Sequence, residues 1–579
     1  MNGNAALKTS PFKSQVCRTA CVLVTALALA GCAKGPGEPE GSSSPLRVRL
    51  MTGRQYSQTL ANIFGPDVSA SVTAPLPPLT RTDGLLESGA AFIGVTSDQL
   101  QQIHETASFV AAKVVDEQHR DFLIPCKPAS DKAADADCAT TFLRQVGRLW
   151  YRRPVDGAKL TRLAAAAGSA ADQQKDFYAG LASVLEAMFI SPEALFIVDA
   201  AEPHPDKAGH RRLEAYSIAS RLSFLLWNSA PDDALLRAAE SGDLKTKAGL
   251  TREVDRMLSS ARLEEGVRAF FDDMLGFNDF DSIAKDPVKY PVVTGATLAD
   301  AREQTLRTVV DHLIARKEDY RDLFTTRSTF MSMNLAAVYG VPSGNGWRPY
   351  DFPEGSPRAG LLMQVAFLAA HAHPARSSAT RRGKALREVF LCQKVPTPPP
   401  NVDFSKLDDP DPSLKTARDR LHVHATNASC AGCHKIMDPM GLALEHFDGA
   451  GAYRATEQGA PLDTSGALDG KAFNDADGLA RALHDHPALP SCLVNRIYSY
   501  ATGGPVALAQ DRKVLEYFTQ RFAVAGYRFP DLLREIALSD AFLEVRESKS
   551  RAATTVVSAA GTAAPSIALN RKQPGTERQ

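Results

Sequence analysis

Residues 218–244, IASRLSFLLWNSAPDDALLRAAESGDL, decide the class of fold. Apolar side chains recur at three- and four-residue spacing up to Trp227, the period of an α-helix. A polar break, Asn228-Ser229-Ala230-Pro231-Asp232-Asp233, then leads into a second helical run. Ser229 is expected to cap that second helix, Pro231 to sit in its first turn, and Asp232 and Asp233 to meet its positive dipole. Every polar residue of the break thus has a structural role, and catalysis at the two acids is not needed to explain them.

The same periodicity, with abundant Ala, Leu, Arg and Glu, runs through 96–118, 139–150, 175–189, 212–227, 248–275, 299–316 and 475–500. Period-two strand patterns are scarce. A mostly α fold is predicted, a multidomain set of helical bundles. The 579 residues suggest about three to five domains. Breaks rich in Pro, Gly and Asp fall at 200–210, 342–360 and 393–414, the last with Pro398 to Pro400 in an extended connector. Composition is ordinary for a globular chain, 44% hydrophobic and 23% charged, which excludes wholesale disorder and a collagen-like rod. The balance of 66 basic and 66 acidic residues gives no reason to expect nucleic acid as a partner. Walker loops, dinucleotide glycine fingerprints and G-x-S-x-G elbows are absent from the sequence.

The N-terminus predicts export. Lys8, Lys13 and Arg18 precede an apolar run from Thr19 to Ala30. That run is too short to span a bilayer and reads as a signal peptide. Leu29-Ala30-Gly31-Cys32 resembles the lipobox of bacterial lipoproteins, in which the chain is cut before a lipid-modified Cys. Cys32 is therefore the expected lipidation site, and the membrane a partner through that anchor. Ala33 and Lys34 follow, with no Asp at the retention position, which favours the outer membrane. Losing three cations and no anion takes the balanced chain to a net charge of −3. Residues 32–45 read as a flexible tether.

One motif carries chemistry: Cys430-Ala431-Gly432-Cys433-His434. C-x-x-C-H is the attachment sequence of c-type haem, with two thiols joined to the porphyrin and the adjacent imidazole placed to reach the iron. A zinc site would need a fourth ligand that is not close by, and a Cys430–Cys433 disulfide is the other rival. The methionine ligand typical of small cytochromes lies well downstream of the His, and no Met follows Met440. Met437 and Met440 are read as packing residues. The second iron ligand is then a His, an upstream Met such as Met363, or an open position. The histidine candidates are His371, His373, His422, His424, His446, His484 and His486. Three H-x-H pairs among them do not share a helix face. A backbone carbonyl in the turn at Asp438-Pro439 is expected to accept the free ring N–H of His434. Arg454 is expected to neutralise a haem propionate, and Gly449 and Gly451 to allow a tight turn past the ring edge. Arg152-Arg153-Pro154 reads as a solvated helix end, with anion binding as the lesser alternative.

The remaining cysteines suit an oxidising compartment. Cys126 and Cys138 flank a short polar loop and are expected to pair, contributing about 3 kcal/mol. Cys392 and Cys492 are left and are paired with each other, tying the segment before the haem motif to the C-terminal helices.

The stretch CAGCHKIMDPMGLALEHFDGAGAYR (430–454) resembles the haem-binding segment of bacterial exported proteins built from tandem domains of unknown function. Residues 50–66 resemble module 1587, 142–155 module 1595, 218–244 module 1592, 360–400 with the CAGCH stretch module 1588, and 491–506 module 1585. Between the signal peptide (1–31) and tether (32–45) and a tail (549–579) that lacks a face to bury and is expected to be disordered, the resemblance places five modules (46–125, 126–199, 211–341, 355–456 and 470–548). It implies one haem near the C-terminal end, in a cytochrome c-like region, and no known reaction. His371 and Arg382-Gly383 fall on recurring positions of module 1588, which ranks His371 first as the second iron ligand. Where the group usually has Gly-Arg, this chain has Gly503-Gly504, so any role of that Arg is absent.

The expectation is a lipid-anchored cell-envelope protein with one covalent haem c, transferring electrons to an unidentified redox partner that is itself exported. A peroxidase- or oxygenase-like enzyme with an open sixth iron position is the second reading. A surface binding protein with structural haem or metal is the third.

Overall fold

The computed structural model describes residues 37–69, 76, 79–396, 413–426 and 428–546. The signal peptide, Cys32, the prolines 398–400 and the tail from 549 lie outside the described residues. Helix accounts for 58% of residues and strand for 9%, so the chain is mostly α.

Two hydrophobic cores organise the helices. The first gathers Tyr56, Leu60, Val110, Phe142, Trp150, Leu181 and Phe189. Its helices begin where the sequence supplies caps. Thr52 and Thr96 form capping boxes with Gln55 and Gln99 for Gly53–Phe64 and Ser97–Val115. Asp135, Asp156 and Asp176 cap Ala136–Trp150, Gly157–Gln174 and Phe177–Phe189. Trp150 is fully buried; its indole N–H donates to the Met188 carbonyl, and its ring meets the edges of Tyr56 and Phe189. Cys126 and Cys138 are disulfide-bonded, with Cα atoms 5.6 Å apart, and pin the chain to the start of Ala136–Trp150. Arg152 is not at a solvated helix end. It is buried and donates to the carbonyls of Trp150, Glu193, Ala194 and Phe196, which leaves it no role as an anion ligand.

The second core takes in Leu85 and apolar residues from Leu213 to Val545. Ala215–Trp227 links the two, with Phe224 in the first core and Ile218, Leu222 and Leu226 in the second. The break after it differs from the sequence expectation. Asn228 takes a left-handed conformation, φ 53°, and Asp232, not Ser229, caps Asp233–Glu240 by accepting from the Leu235 N–H. Pro231 therefore precedes the cap. Ser229 is buried and accepts from Arg262, whose guanidinium lies 4.1 Å over the Trp227 ring. Two long periodic runs are also split. Lys247–Leu258 and Leu263–Met274 replace one helix over 248–275, and Ala476–His484 and Ala488–Thr502 replace one over 475–500. Pro487, which has no N–H to give, stands between the latter pair.

Short strands close the molecule. Ser44–Pro45 runs parallel to Glu544–Arg546, which pairs antiparallel with Arg211–Leu213, itself antiparallel to Ala201–Pro203. Strands of two or three residues carry no readable period, so the sequence does not show them. Residues 38–45, within the stretch read as a tether, are held down: Glu38 accepts from the Asp540 and Ala541 N–H groups, and Ser44 takes a bond from buried Arg221. The order of this segment comes from partners 177 to 503 residues away in sequence. Among the described residues no helix is long and apolar enough to cross a membrane.

Candidate functional site

The C-x-x-C-H motif lies on the helix Ala428–Leu442. At 100° per residue, Cys430, Cys433 and His434 fall within about a third of the helix circumference. Cys430 and Cys433 are both thiols and partly exposed. A Cβ added at Gly432, on the side of the helix away from the trio, would meet nothing within 4 Å, so that side is open, while the trio stands on the partly buried side.

Further along the helix, the same side is fixed by the short helix Ala379–Ala385. Two glycines bring these backbones into contact. A Cβ at Gly383 would stand 1.9 Å from the Met437 carbonyl oxygen, and one at Gly441 would stand 1.7 Å from that of Ala379. Pro439 interrupts the hydrogen-bond ladder of the motif helix, and Arg387 donates to the Ile436 carbonyl beside it. The crossing also sets the environment of His434. Its Nδ1 lies 2.7 Å from Asp438 Oδ2, and Asp438 Oδ1 accepts from Thr380 Oγ1 at 2.9 Å. Asp438 is 6% exposed. Its carboxylate holds the His434 imidazole above the usual histidine range. The partner of the ring is thus a carboxylate one helical turn on, not the backbone carbonyl that the sequence reading offered. The reason is that residues 428–442 are helical, so their carbonyls are directed along the axis while positions four apart meet.

The turn after the motif is held by two buried arginines. Arg382 donates to the carbonyls of Leu368, Leu444, Phe447 and Asp448. Arg358 donates to Met363 and Gly451 while lying 4.5 Å and 4.7 Å over the Tyr339 and Phe447 rings. Gly451, φ 89°, supplies the left-handed bend. Gly449 packs on the Arg376 backbone, and Gly451 on Val365, rather than on the motif. Arg454, expected at a propionate, ion-pairs with buried Glu445 at 2.7 Å, and Ser377 joins the pair.

The candidate second ligands are dispersed. His371 lies against Phe367 in the wall of an apolar cavity with Phe277, Leu361 and Phe390. Burial, with the nearby cations Arg382, Arg381 and Lys285, pushes it down to about 4, so its ring is neutral at neutral pH. His446 stacks on Tyr453 and bonds the Arg454 carbonyl. His484 and His486 bond Asp322 and Asp469. The His373 N–H donates to the Arg376 carbonyl, and His422 is exposed on Ala417–Ala425. The side chain of His424 lies outside the described residues. Met363 is fully buried, and its sulfur accepts from the Ala359 N–H. Met437 and Met440 are buried as packing residues. Among the described residues, no three His, Cys, Asp or Glu side chains converge as a metal site, the motif trio included. A single axial imidazole with two thioether anchors does not need such a cluster.

Family models match four successive stretches, each described as a protein of unknown function: DUF1595 over residues 138–199, DUF1592 over 213–341, DUF1588 over 358–457 and DUF1585 over 469–542. The chain carries this domain group. The DUF1588 module contains the motif helix, the helix that crosses it, and both buried arginines that brace the turn after it. The DUF1585 module holds Cys492, whose disulfide to Cys392 joins it to the DUF1588 module. No curated protein and no solved structure matches the chain.

The support of His434 is the part of the site that sequence reasoning missed. The H-K-I-M-D spacing of 434 to 438 would have pointed to Asp438 had the stretch been read as helix. The contribution of Thr380 depends on a helix crossing and has no local signal.

Proposed function

We propose that this is an exported, lipid-anchored cell-envelope protein carrying one c-type haem on Cys430, Cys433 and His434, and that it passes electrons to a redox partner. The observation that carries the reading is the state of the cysteines. Cys126, Cys138, Cys392 and Cys492 are paired, whereas Cys430 and Cys433, three residues apart and partly exposed on one side of a helix, are thiols beside a histidine. This fits thioether attachment, which consumes two thiols and leaves the imidazole directed at the same face. The bound group would supply one-electron redox chemistry. The protein's part is to orient His434 through Asp438 and to brace the helix one to two turns further along. Cys32 as the lipid attachment point, and the outer membrane as location, belong to the same proposal.

Intact mass of the protein from a host that matures c-type haem is expected to show one tetrapyrrole adduct. The Cys430→Ala, Cys433→Ala variant should lose it. Electron transfer predicts a low-spin spectrum that cyanide and carbon monoxide leave unchanged. Ready ligand binding by the reduced protein would establish the second reading, an enzyme with an open sixth position. That reading is favoured by the burial of Met363 and by the apolar cavity in which His371 stands. A colourless protein without adduct would overturn both.

A further inference from the structure

The haem reading does not account for the partner of His434. A ring nitrogen of an axial histidine needs only a carbonyl to fix its orientation, yet here it meets a carboxylate that is 6% exposed and oriented by a second side chain. Resting on that reading, we propose that Asp438, held by Thr380, is a positioning residue that gives His434 imidazolate character and keeps the attached iron at a low reduction potential, ferric at rest.

Three features of the geometry support this. First, a carboxylate only accepts, so the 2.7 Å contact places the proton on Nδ1 of His434 and makes Nε2 the ligating nitrogen. Second, Asp438 is almost withdrawn from water, so its charge is weakly screened and acts on the imidazole at short range. A more basic imidazole stabilises the more positive oxidation state of the iron. Third, the arrangement is built, not incidental. Thr380 reaches Asp438 from the crossing helix, and that crossing exists because Gly383 and Gly441 allow the two backbones to touch. A surface carboxylate would swing away; this one has its second oxygen fixed at 2.9 Å by a hydroxyl from another element. The partner implied is an electron acceptor of higher potential.

The test is redox titration of the full haem-loaded chain and two variants. Asp438→Asn should retain haem by intact mass and favour the ferrous form at least tenfold more than the native chain, an upward shift of at least about 59 mV for a one-electron couple. Thr380→Val leaves the carboxylate but removes a hydrogen bond that draws off its charge, so it should shift the potential downward, by less. A purely structural role would not give shifts of opposite sign. Unchanged potentials in both variants, with haem retained, overturn this inference and leave the haem reading standing. Absence of haem from the native chain overturns both. Should Asp438→Asn fail to fold or load, Thr380→Val decides alone: a downward shift supports the proposal, and none overturns it.

Discussion

Arg382 shows how much a single side chain does in the DUF1588 module. Its guanidinium is fully buried, spends its N–H groups on four carbonyls, and stands 3.6 Å from Glu445. Arg382→Met should therefore cost more than lost packing. It would orphan several buried carbonyls and leave Glu445 with Arg454 as its one cation and Ser377 as a neutral donor. A loss of about 3–5 kcal/mol in denaturant unfolding is expected. A loss below about 1 kcal/mol would show that water replaces the clamp. The glycines give a paired prediction. Gly441→Ala should destabilise by about 1–3 kcal/mol, because its Cβ meets the backbone of Ala379. Gly432→Ala, with open space around it and a helical backbone, should leave the haem-free fold equal or slightly firmer.

At the level of elements, charged groups act as caps and struts between helices. Asp273, on Leu263–Met274, accepts from the Leu86 and Glu87 N–H groups at the start of Leu86–Gly89 and binds Arg81. Burial pushes its carboxyl up to about 6, against the help of Arg81. The folded chain therefore holds this proton more tightly than the unfolded one. That stabilisation is complete below about pH 4 and is lost as pH rises through 6. Asp273→Asn should gain on the native chain by on the order of 2 kcal/mol between pH 4 and 7, read from denaturation midpoints. A difference between the two that does not vary with pH would refute the assignment. The end of Ala488–Thr502 shows one element filling space beside another. Arg47 lies against Gly504 and donates to the Pro505 carbonyl. A guanidinium from the N-terminal segment thus occupies the space that a side chain at 504 would need.

For the molecule as a whole, links between distant segments dominate. The Cys392–Cys492 bond closes a separation of 100 residues, for which chain entropy alone gives about 4.7 kcal/mol. The Cys392→Ala, Cys492→Ala variant should unfold at lower denaturant, and limited proteolysis should then separate the DUF1588 module from the DUF1585 module. Retention of a single cooperative transition at an unchanged midpoint would show that the shared core, not the disulfide, holds them together. The small sheet formed by Ser44–Pro45, Ala201–Pro203, Arg211–Leu213 and Glu544–Arg546 makes the same kind of link across almost the full chain.

The amino-acid sequence by itself determined the helical class, the run of several helices, both disulfide pairings and the C-x-x-C-H motif. Each of these is a local or compositional signal: apolar period or the spacing of a reactive side chain. Tertiary structure decided the rest. It split the runs over 248–275 and 475–500, gave the cap at 232 to Asp232 in place of Ser229, buried Arg152, and handed Arg454 to Glu445. It also put Thr380 against Asp438, the partner of His434. Those outcomes turn on which helices touch and how closely, and a backbone contact between Gly383 and Met437 leaves no trace in the order of either segment.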